Sequence, residues 1–174
     1  MLFRSQSQGW GPNGIKITPL GASNAQIAAL KTNQVAGVTT DSVTVYKFME
    51  EGGGRILAKF GERVKDFHVH IIYASDKLMK ENPKALRDFL AAWFETIAFM
   101  KANKDQAIEM AAKRTDVSKT VATEGYNDTM GIFSTNGRFS PKALDVLGES
   151  FVELKLLPSK PDMSKLITEE FLPK

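Results

Sequence analysis

The sequence predicts an α/β fold in which a short central sheet has flanking helices and a helical C-terminal region follows. Three observations predict it. Residues 15–42 read in turn as a strand, a short helix and a second strand. The run Phe67–Ala74 (FHVHIIYA) alternates over its first half and is rich in Val, Ile, Tyr and Phe. From Asn82 onwards, apolar residues recur at steps of three and four, which is typical of helices.

The strand–helix–strand unit begins with the apolar run Ile15–Leu20 between two glycines. Ser23 is the predicted N-cap of the helix, and Gln26 three residues later completes a capping box. A second short strand is predicted at Val35–Val38. A parallel crossover of this length is right-handed, so the residues that follow the two strands should meet at one edge of the sheet.

That carboxyl edge is where open α/β sheets bind ligands. The predicted ligand-binding residues there are small and polar: Gly21, Ser23, Asn24, Thr39, Thr40, Asp41 and Ser42. Backbone N–H groups at the start of the first helix favour an oxyanion or a carboxylate. The Asp41 side chain instead favours an amine or a pyrimidine, so the pattern leaves the charge of the ligand open.

Residues 42–51 have an ambiguous pattern. The β-branched residues favour a strand, whereas Asp41 or Ser42 as N-cap and the run Gly52–Gly54 as terminator favour a helix. The glycine run is interpreted as a helix C-cap rather than a phosphate-binding loop, because a phosphate loop needs a strand before it and a helix after it. Upstream, Gly9–Gly14 is a predicted turn.

The C-terminal half is predicted to be mostly helical. Asn82 and Pro83 are the N-cap and first residue of the longest helix, whose apolar stripe should be buried. This stripe comprises Leu86, Phe89, Leu90, Trp93, Ile97 and Met100. Further helices are predicted at residues 104–114, at 117–130, after the Ser140-Pro141 cap and at 162–171, with a loop at 131–138.

Composition excludes several classes of function. The net charge of +3 is spread along the chain, so nucleic-acid binding has no support. The absence of cysteine excludes disulfides, a thiol nucleophile and thiolate metal sites. His68 and His70 share one face of a predicted strand and could ligate a metal, but a half-exposed strand face is the preferred interpretation. A histidine there could also reach a ligand cleft.

Three stretches carry a family resemblance: Pro19-Leu20-Gly21 with Ser23, the Ala28-Ala29-Leu30 helix before a short valine strand, and Lys77–Glu81 followed by Asn-Pro. Together they resemble the periplasmic substrate-binding proteins of nitrate, sulfonate and taurine ABC transporters, a group that includes binders of thiamine-pyrimidine precursors. In this family the turn that ends the helix is usually followed by Val-Asp-Ala, whereas residues 34–37 read QVAG here, so the usual acidic residue is absent.

The resemblance implies part of a bilobal periplasmic-binding-protein fold of class II. Residues 9–66 would belong to the second lobe, and residues 67–174 would hold the strand that returns to the first lobe and its C-terminal helices. It also implies that residues 42–51 form a helix and that Arg55–Phe60 form a third strand.

The implied function is solute capture for an ABC importer, with a small polar organic molecule or oxyanion as ligand and a membrane permease as partner. The implied location is the periplasm. The N-terminus MLFRSQSQGW lacks the apolar core of a signal peptide, so the chain is expected to be either a mature form or a part of a longer protein. The resemblance, which covers only the second half of family members, favours the second alternative. No cofactor is expected. The alternative is an enzyme similar to thiamine-pyrimidine synthases or a ligand-sensing domain, although no nucleophile or base is evident.

Overall fold

The computed structural model describes residues 8–11 and 14–174. Their regular structure is helical, and the helices are α1 Ser23–Lys31, α2 Ser42–Glu50, α3 Phe60–Arg63, α4 Asp76–Glu81, α5 Pro83–Ala102, α6 Lys104–Thr115, α7 Lys119–Thr129 and α8 Pro141–Glu153, followed by a 3₁₀ turn at Met163–Lys165. The chain divides into two compact units, of which the first ends at Ile56 and the second is Leu57–Lys174. Pro12 and Asn13 of the predicted turn, and most of the N-terminal decapeptide, lie outside the described residues.

The predicted α/β class with a central sheet is wrong for the structure. No residue in the described ranges belongs to a β-ladder, although four segments had been predicted as strands. Alternation and β-branched residues favour an extended backbone, but a sheet also needs a neighbouring strand to pair with each N–H and C=O group. The sequence pattern indicates an extended backbone, but it does not show whether a neighbouring strand is present to pair with it.

Each predicted strand has its own weakness. Pro19 removes a donor from the Ile15–Leu20 segment, and Gly37 weakens a second segment of only four residues. The Arg55–Phe60 segment runs into helix α3, which begins at Phe60. Phe67–Ala74 is the longest segment, yet its histidines contact the 133–140 loop rather than a neighbouring strand.

In the first unit, two helices end in the same way. After α1, Asn33 has φ +56°, its N–H donates to the Leu30 carbonyl at 3.1 Å, and Gln34 N–H donates to the Ala29 carbonyl at 2.9 Å. After α2, Gly52 has φ +81°, and the equivalent bonds join Gly52 to Met49 and Gly53 to Phe48. Both are Schellman motifs. The predictions of a helix over residues 42–51 and of a glycine C-cap are therefore confirmed.

The second unit is built around α5, α6 and α7. Ile97, Ile108 and Val121, one from each helix, are its most deeply buried side chains. Because these helices follow one another through short connections, their apolar faces can pack with little cost in loop closure. The helix predictions for residues 104–114 and 117–130, and those that begin at Pro83 and Pro141, are confirmed.

The apolar stripe on α5 is only partly buried. Leu86, Leu90 and Ile97 are buried as predicted, but Phe89 and Trp93 are exposed and stack on each other with ring centroids 6.3 Å apart. The prediction that Trp93 is a core residue is therefore wrong. The other elements of the second unit cover only part of the apolar stripe on α5.

The C-terminal tail packs on α5 without forming the predicted helix at residues 162–171. Phe171 joins Leu86 and Leu90 in one apolar cluster, and the Arg87 guanidinium lies 5.0 Å from the centre of the Phe171 ring while also donating to the Glu170 carbonyl. A ten-residue helix is marginal by itself. Side-chain contacts with α5 determine the tail conformation instead.

None of the helices in residues 8–11 and 14–174 has the length and hydropathy of a membrane span.

Candidate functional site

Asp41 is the centre of the predicted ligand-binding cluster. It is the N-cap of α2, where its carboxylate accepts from the Thr44 N–H at 2.9 Å and from the Thr44 hydroxyl at 2.8 Å. The Ser23 hydroxyl donates to the same carboxylate at 3.2 Å, from 18 residues earlier in the chain, and the Thr40 hydroxyl lies 3.4 Å away. The structure thus places the start of α1 beside the start of α2, as the crossover argument expected, although no sheet connects them.

Ser23 and Gln26 do not form the predicted capping box. Ala22 is the N-cap of α1, and Ser23 is its first helical residue. The Gln26 amide instead donates to the Gly21 carbonyl at 2.9 Å, while the Gln26 side-chain oxygen is buried without a partner in the described structure. Because Ser23 is the first helical residue of α1, its hydroxyl is not placed to cap this helix, and it donates a hydrogen bond to Asp41 instead.

Burial and hydrogen bonding act in opposite directions on the Asp41 carboxyl. Partial desolvation raises the pKa of Asp41, but the hydrogen bonds from Thr44 and Ser23 outweigh it, and the pKa lies below its ordinary value. Asp41 is therefore ionised at neutral pH, with its acceptor positions largely taken by protein donors. This arrangement fits a structural carboxylate better than a proton-transferring one.

The other predicted residues surround this contact in different ways. Gly21 has φ +72° and makes the turn that leads into α1. Asn24 is exposed in the first turn of α1, Thr39 is exposed in the preceding loop, and Ser42 is the first residue of α2. Within the described structure, the N–H groups of Ser23 and Asn24 have no acceptor. These two donors at the positive end of the α1 dipole can bind a small anion.

An open groove of about 300 Å³ lies between α1 and α2, and Asn24 and Thr44 are among the residues that line it. Its other lining residues are Ile27, Ala28, Lys31, Lys47, Phe48 and Glu51. Lys31 pairs with Glu51 at 2.7 Å and lies 5.5 Å from the centre of the Phe48 ring, and its hydrogen bond and charge lower the pKa of Glu51. The lysines, Phe48 and Glu51 were missed by sequence reasoning because contacts between two helices leave no local pattern. Thr44 could have been found, since the third helical residue donates to an N-cap aspartate.

The two histidines belong to the second unit. His68 accepts a hydrogen bond from the Ser140 N–H at 3.1 Å and meets the Phe139 ring edge-on, whereas His70 stacks on Phe133. In the described residues no three histidine or carboxylate side chains are grouped as metal ligands would be. Each histidine therefore has a packing role against the 133–140 loop.

Comparison with known proteins identifies the family. A family model described as "NMT1/THI5 like" matches residues 5–107, which is more than half of the chain. No curated protein and no solved structure matches the chain. The family match confirms the resemblance to the nitrate, sulfonate and taurine binders and the thiamine-precursor binders, and it indicates a role in binding a small solute. The chain belongs to the NMT1/THI5-like family.

Proposed function

We propose that this chain is part of the substrate-binding component of an ABC importer and that it binds a small anion. The observation that carries the proposal is the family match over residues 5–107. In such a component, a soluble protein captures the solute and delivers it to a membrane permease. The permease partner and the periplasmic location are parts of this proposal.

The amino end of α1 is the proposed point of contact with the ligand. The free N–H groups of Ser23 and Asn24 supply two donors, and the hydrogen bond from Ser23 to Asp41 holds this turn against the start of α2. Because Asp41 already accepts from Thr44 and Ser23, little of its acceptor capacity is left for an amine. The available donors therefore favour an oxyanion, sulfonate or carboxylate over an amine or pyrimidine.

The second candidate is an enzyme or a sensing domain, because the family description includes THI5-type proteins. A general base works best when its pKa lies near the working pH. Asp41 is shifted in the opposite direction, below its ordinary value. Binding without turnover is therefore the favoured function.

The test is titration calorimetry on the full chain with sodium nitrate, taurine and an aminopyrimidine as separate probes. We expect an anionic or sulfonate probe to bind without being consumed. Replacement of Ser23 by proline removes one N–H donor, and proline is accepted at the first position of a helix. The extended backbone of Ala22 is also compatible with a following proline.

Ser23→Ala is the matched control, since it removes the hydroxyl and keeps the N–H. We expect Ser23→Pro to weaken anion binding about tenfold or more and Ser23→Ala to weaken it by less than about threefold. The reason is that proline removes the N–H that donates a charge-assisted hydrogen bond to the anion, whereas alanine keeps it. Tighter binding of the aminopyrimidine would instead favour Asp41 as the ligand contact. Failure of all three probes to bind, or turnover of any of them, would contradict the proposal. A gene adjoining those of a permease and an ATPase would support the transport assignment.

A further inference from the structure

The turn at residues 134–138 brings a side-chain amide and a backbone nitrogen to the same hydroxyl group. The Ser134 hydroxyl donates to the Asn136 side-chain oxygen at 3.1 Å and accepts from the Gly137 N–H at 2.9 Å. It also accepts from the Asn136 N–H at 3.3 Å. The Arg138 N–H is a second donor to the Asn136 side-chain oxygen, at 3.0 Å. This oxygen therefore has two donors, and one of them is bonded to the nitrogen of the next residue.

This arrangement matches the needs of a known reaction of asparagine. The backbone nitrogen of the following residue attacks the side-chain carbonyl carbon, and negative charge develops on the side-chain oxygen. Fixed donors at such an oxygen stabilise the transition state, and a group that accepts the proton of the attacking nitrogen assists the attack. The Ser134 hydroxyl contacts both reacting groups, so it can accept the Gly137 proton while it passes its own proton to the Asn136 oxygen.

We propose that Asn136 is a site of self-modification, at which the Gly137 nitrogen closes a five-membered succinimide ring on the Asn136 side chain. The new bond joins the Gly137 nitrogen to the Asn136 Cγ atom, and the bond from Cγ to Nδ2 breaks. The amide nitrogen leaves as ammonia with the proton that the Gly137 nitrogen has lost. Water then opens the ring at either carbonyl, which gives aspartate or isoaspartate at position 136. The whole sequence consumes water alone.

Exposure and packing both suit this reaction. Asn136 is exposed, so ammonia can leave and water can reach the ring. Gly137 has no side chain to shield its nitrogen from attack on Cγ. A Cβ atom at Gly137 would lie 2.4 Å from the Phe94 ring, so the packing of the loop keeps glycine at this position. The contact with α5 therefore also keeps the reactive Asn-Gly pair in the chain.

The two products differ in their effect on the loop. An aspartate at position 136 keeps an oxygen that can accept from the Ser134 hydroxyl and the Arg138 N–H. An isoaspartate adds one carbon atom to the backbone before Gly137, which disturbs the close contact of Gly137 with Phe94 and Leu172. Formation of isoaspartate should therefore loosen the loop from α5 and from the C-terminal tail.

Peptide mapping by tandem mass spectrometry measures the reaction. The full chain is incubated in mildly alkaline buffer, either folded or unfolded in urea, and deamidation adds one dalton at residue 136. The mapping separates this residue from Asn13, which is also followed by glycine. We expect Asn136 to react at least about threefold faster in the folded chain than in urea, because only the folded turn holds the donors and the nucleophile in place.

Two alanine variants test the role of the hydroxyl. Ser134→Ala removes it, and Thr135→Ala is the matched control, since Thr135 is exposed in the same turn. We expect Ser134→Ala to slow the folded-state reaction at least about fivefold and to leave the rate in urea unchanged within about twofold. Thr135→Ala should react at the wild-type rate in both conditions. Circular dichroism checks that both variants keep their helices.

A folded wild-type chain in which Asn136 reacts no faster than in urea would overturn the proposal, because the turn would then protect the pair. Equal folded-state rates of Ser134→Ala and Thr135→Ala would also overturn it. If Ser134→Ala fails to fold, the comparison of folded and unfolded wild type still decides the question.

Discussion

The sequence left two alternative roles open for Asp41, a ligand contact and a helix cap. Its position after a predicted strand favoured a ligand contact, and its position before a helix favoured a cap. In the structure the carboxylate accepts from the Thr44 N–H and from the hydroxyls of Thr44 and Ser23. The capping role is thus visible in the geometry, and the effect of Asp41 on a ligand is expected to be indirect, through the position of Ser23.

The first prediction is that Asp41→Ala destabilises the protein. Loss of an N-cap side chain costs about 1 kcal/mol, and loss of the contact with Ser23 adds to this cost. Denaturant unfolding of the wild type and of the variant measures the difference. Thr39→Ala is a suitable control, because Thr39 is exposed in the same loop and does not cap α2. Equal stability of Asp41→Ala and wild type would contradict the capping role.

The second prediction concerns pH. Because the pKa of Asp41 is lowered in the folded protein, the ionised carboxylate stabilises the fold above the unfolded pKa of about 4. This contribution is lost as the pH falls through the lower, folded value. Asp41→Asn keeps an acceptor for the cap but does not titrate. The stability difference between the wild type and Asp41→Asn should therefore be largest near neutral pH and should shrink between about pH 5 and pH 3, as measured by denaturant unfolding. A stability difference that stays constant over that pH range would show that folding does not change the pKa of Asp41.

Among the elements, the helix starts were the easiest to predict. Asn82 and Ser140 each accept from the N–H of the third helical residue, and each is followed by proline. These signals are local, so four adjacent residues contain all the information. Ser23 was assigned the wrong role because α1 has Ala22 as its N-cap, so Ser23 is already helical and its hydroxyl donates to Asp41, 18 residues away. The helix predicted at residues 162–171 was also wrong, because contacts of the tail with α5 determine its conformation.

The contact between the 133–140 loop, α5 and the tail depends on Gly137. Its φ is +70°, and a Cβ atom there would lie 2.4 Å from the Phe94 ring and 2.7 Å from a Leu172 methyl group. Both side chains pack against the buried cluster of Leu86, Leu90 and Phe171. The loop can therefore approach α5 this closely only with glycine at this position.

The third prediction is that Gly137→Ala destabilises the protein by roughly 2 kcal/mol or more, because backbone strain and overpacking act together. Gly131→Ala is the matched control, since Gly131 lies two residues before this loop, has open space around it and has a φ outside the left-handed region. Thermal or denaturant unfolding compares the two variants. Similar stability of both would mean that the loop does not pack on Phe94 and Leu172.

At the scale of the whole molecule, the helices could be predicted from the sequence, whereas the predicted sheet is not found in the described residues. A helix satisfies its backbone within one segment, so periodicity and caps are enough to predict it. A strand depends on a neighbour that can be anywhere in the chain or in another chain. The segments predicted as strands at residues 15–20, 35–38 and 55–60 illustrate this, because each has β-favouring residues and none belongs to a β-ladder in the described structure. The family was recognisable nonetheless, since the motif residues carry the resemblance independently of the pairing.

The last prediction follows from this absence of pairing and is tested by amide hydrogen exchange. Amides outside hydrogen-bonded structure exchange at close to the free rate, whereas amides in packed helices exchange only through opening of the helix. We therefore expect Ile17, Val38 and Leu57 to exchange within about tenfold of the free rate, and α5, α6 and α7 around Ile97, Ile108 and Val121 to be protected at least a hundredfold. Strong protection of the Ile17 or Leu57 amide would contradict the absence of backbone hydrogen bonds at these residues.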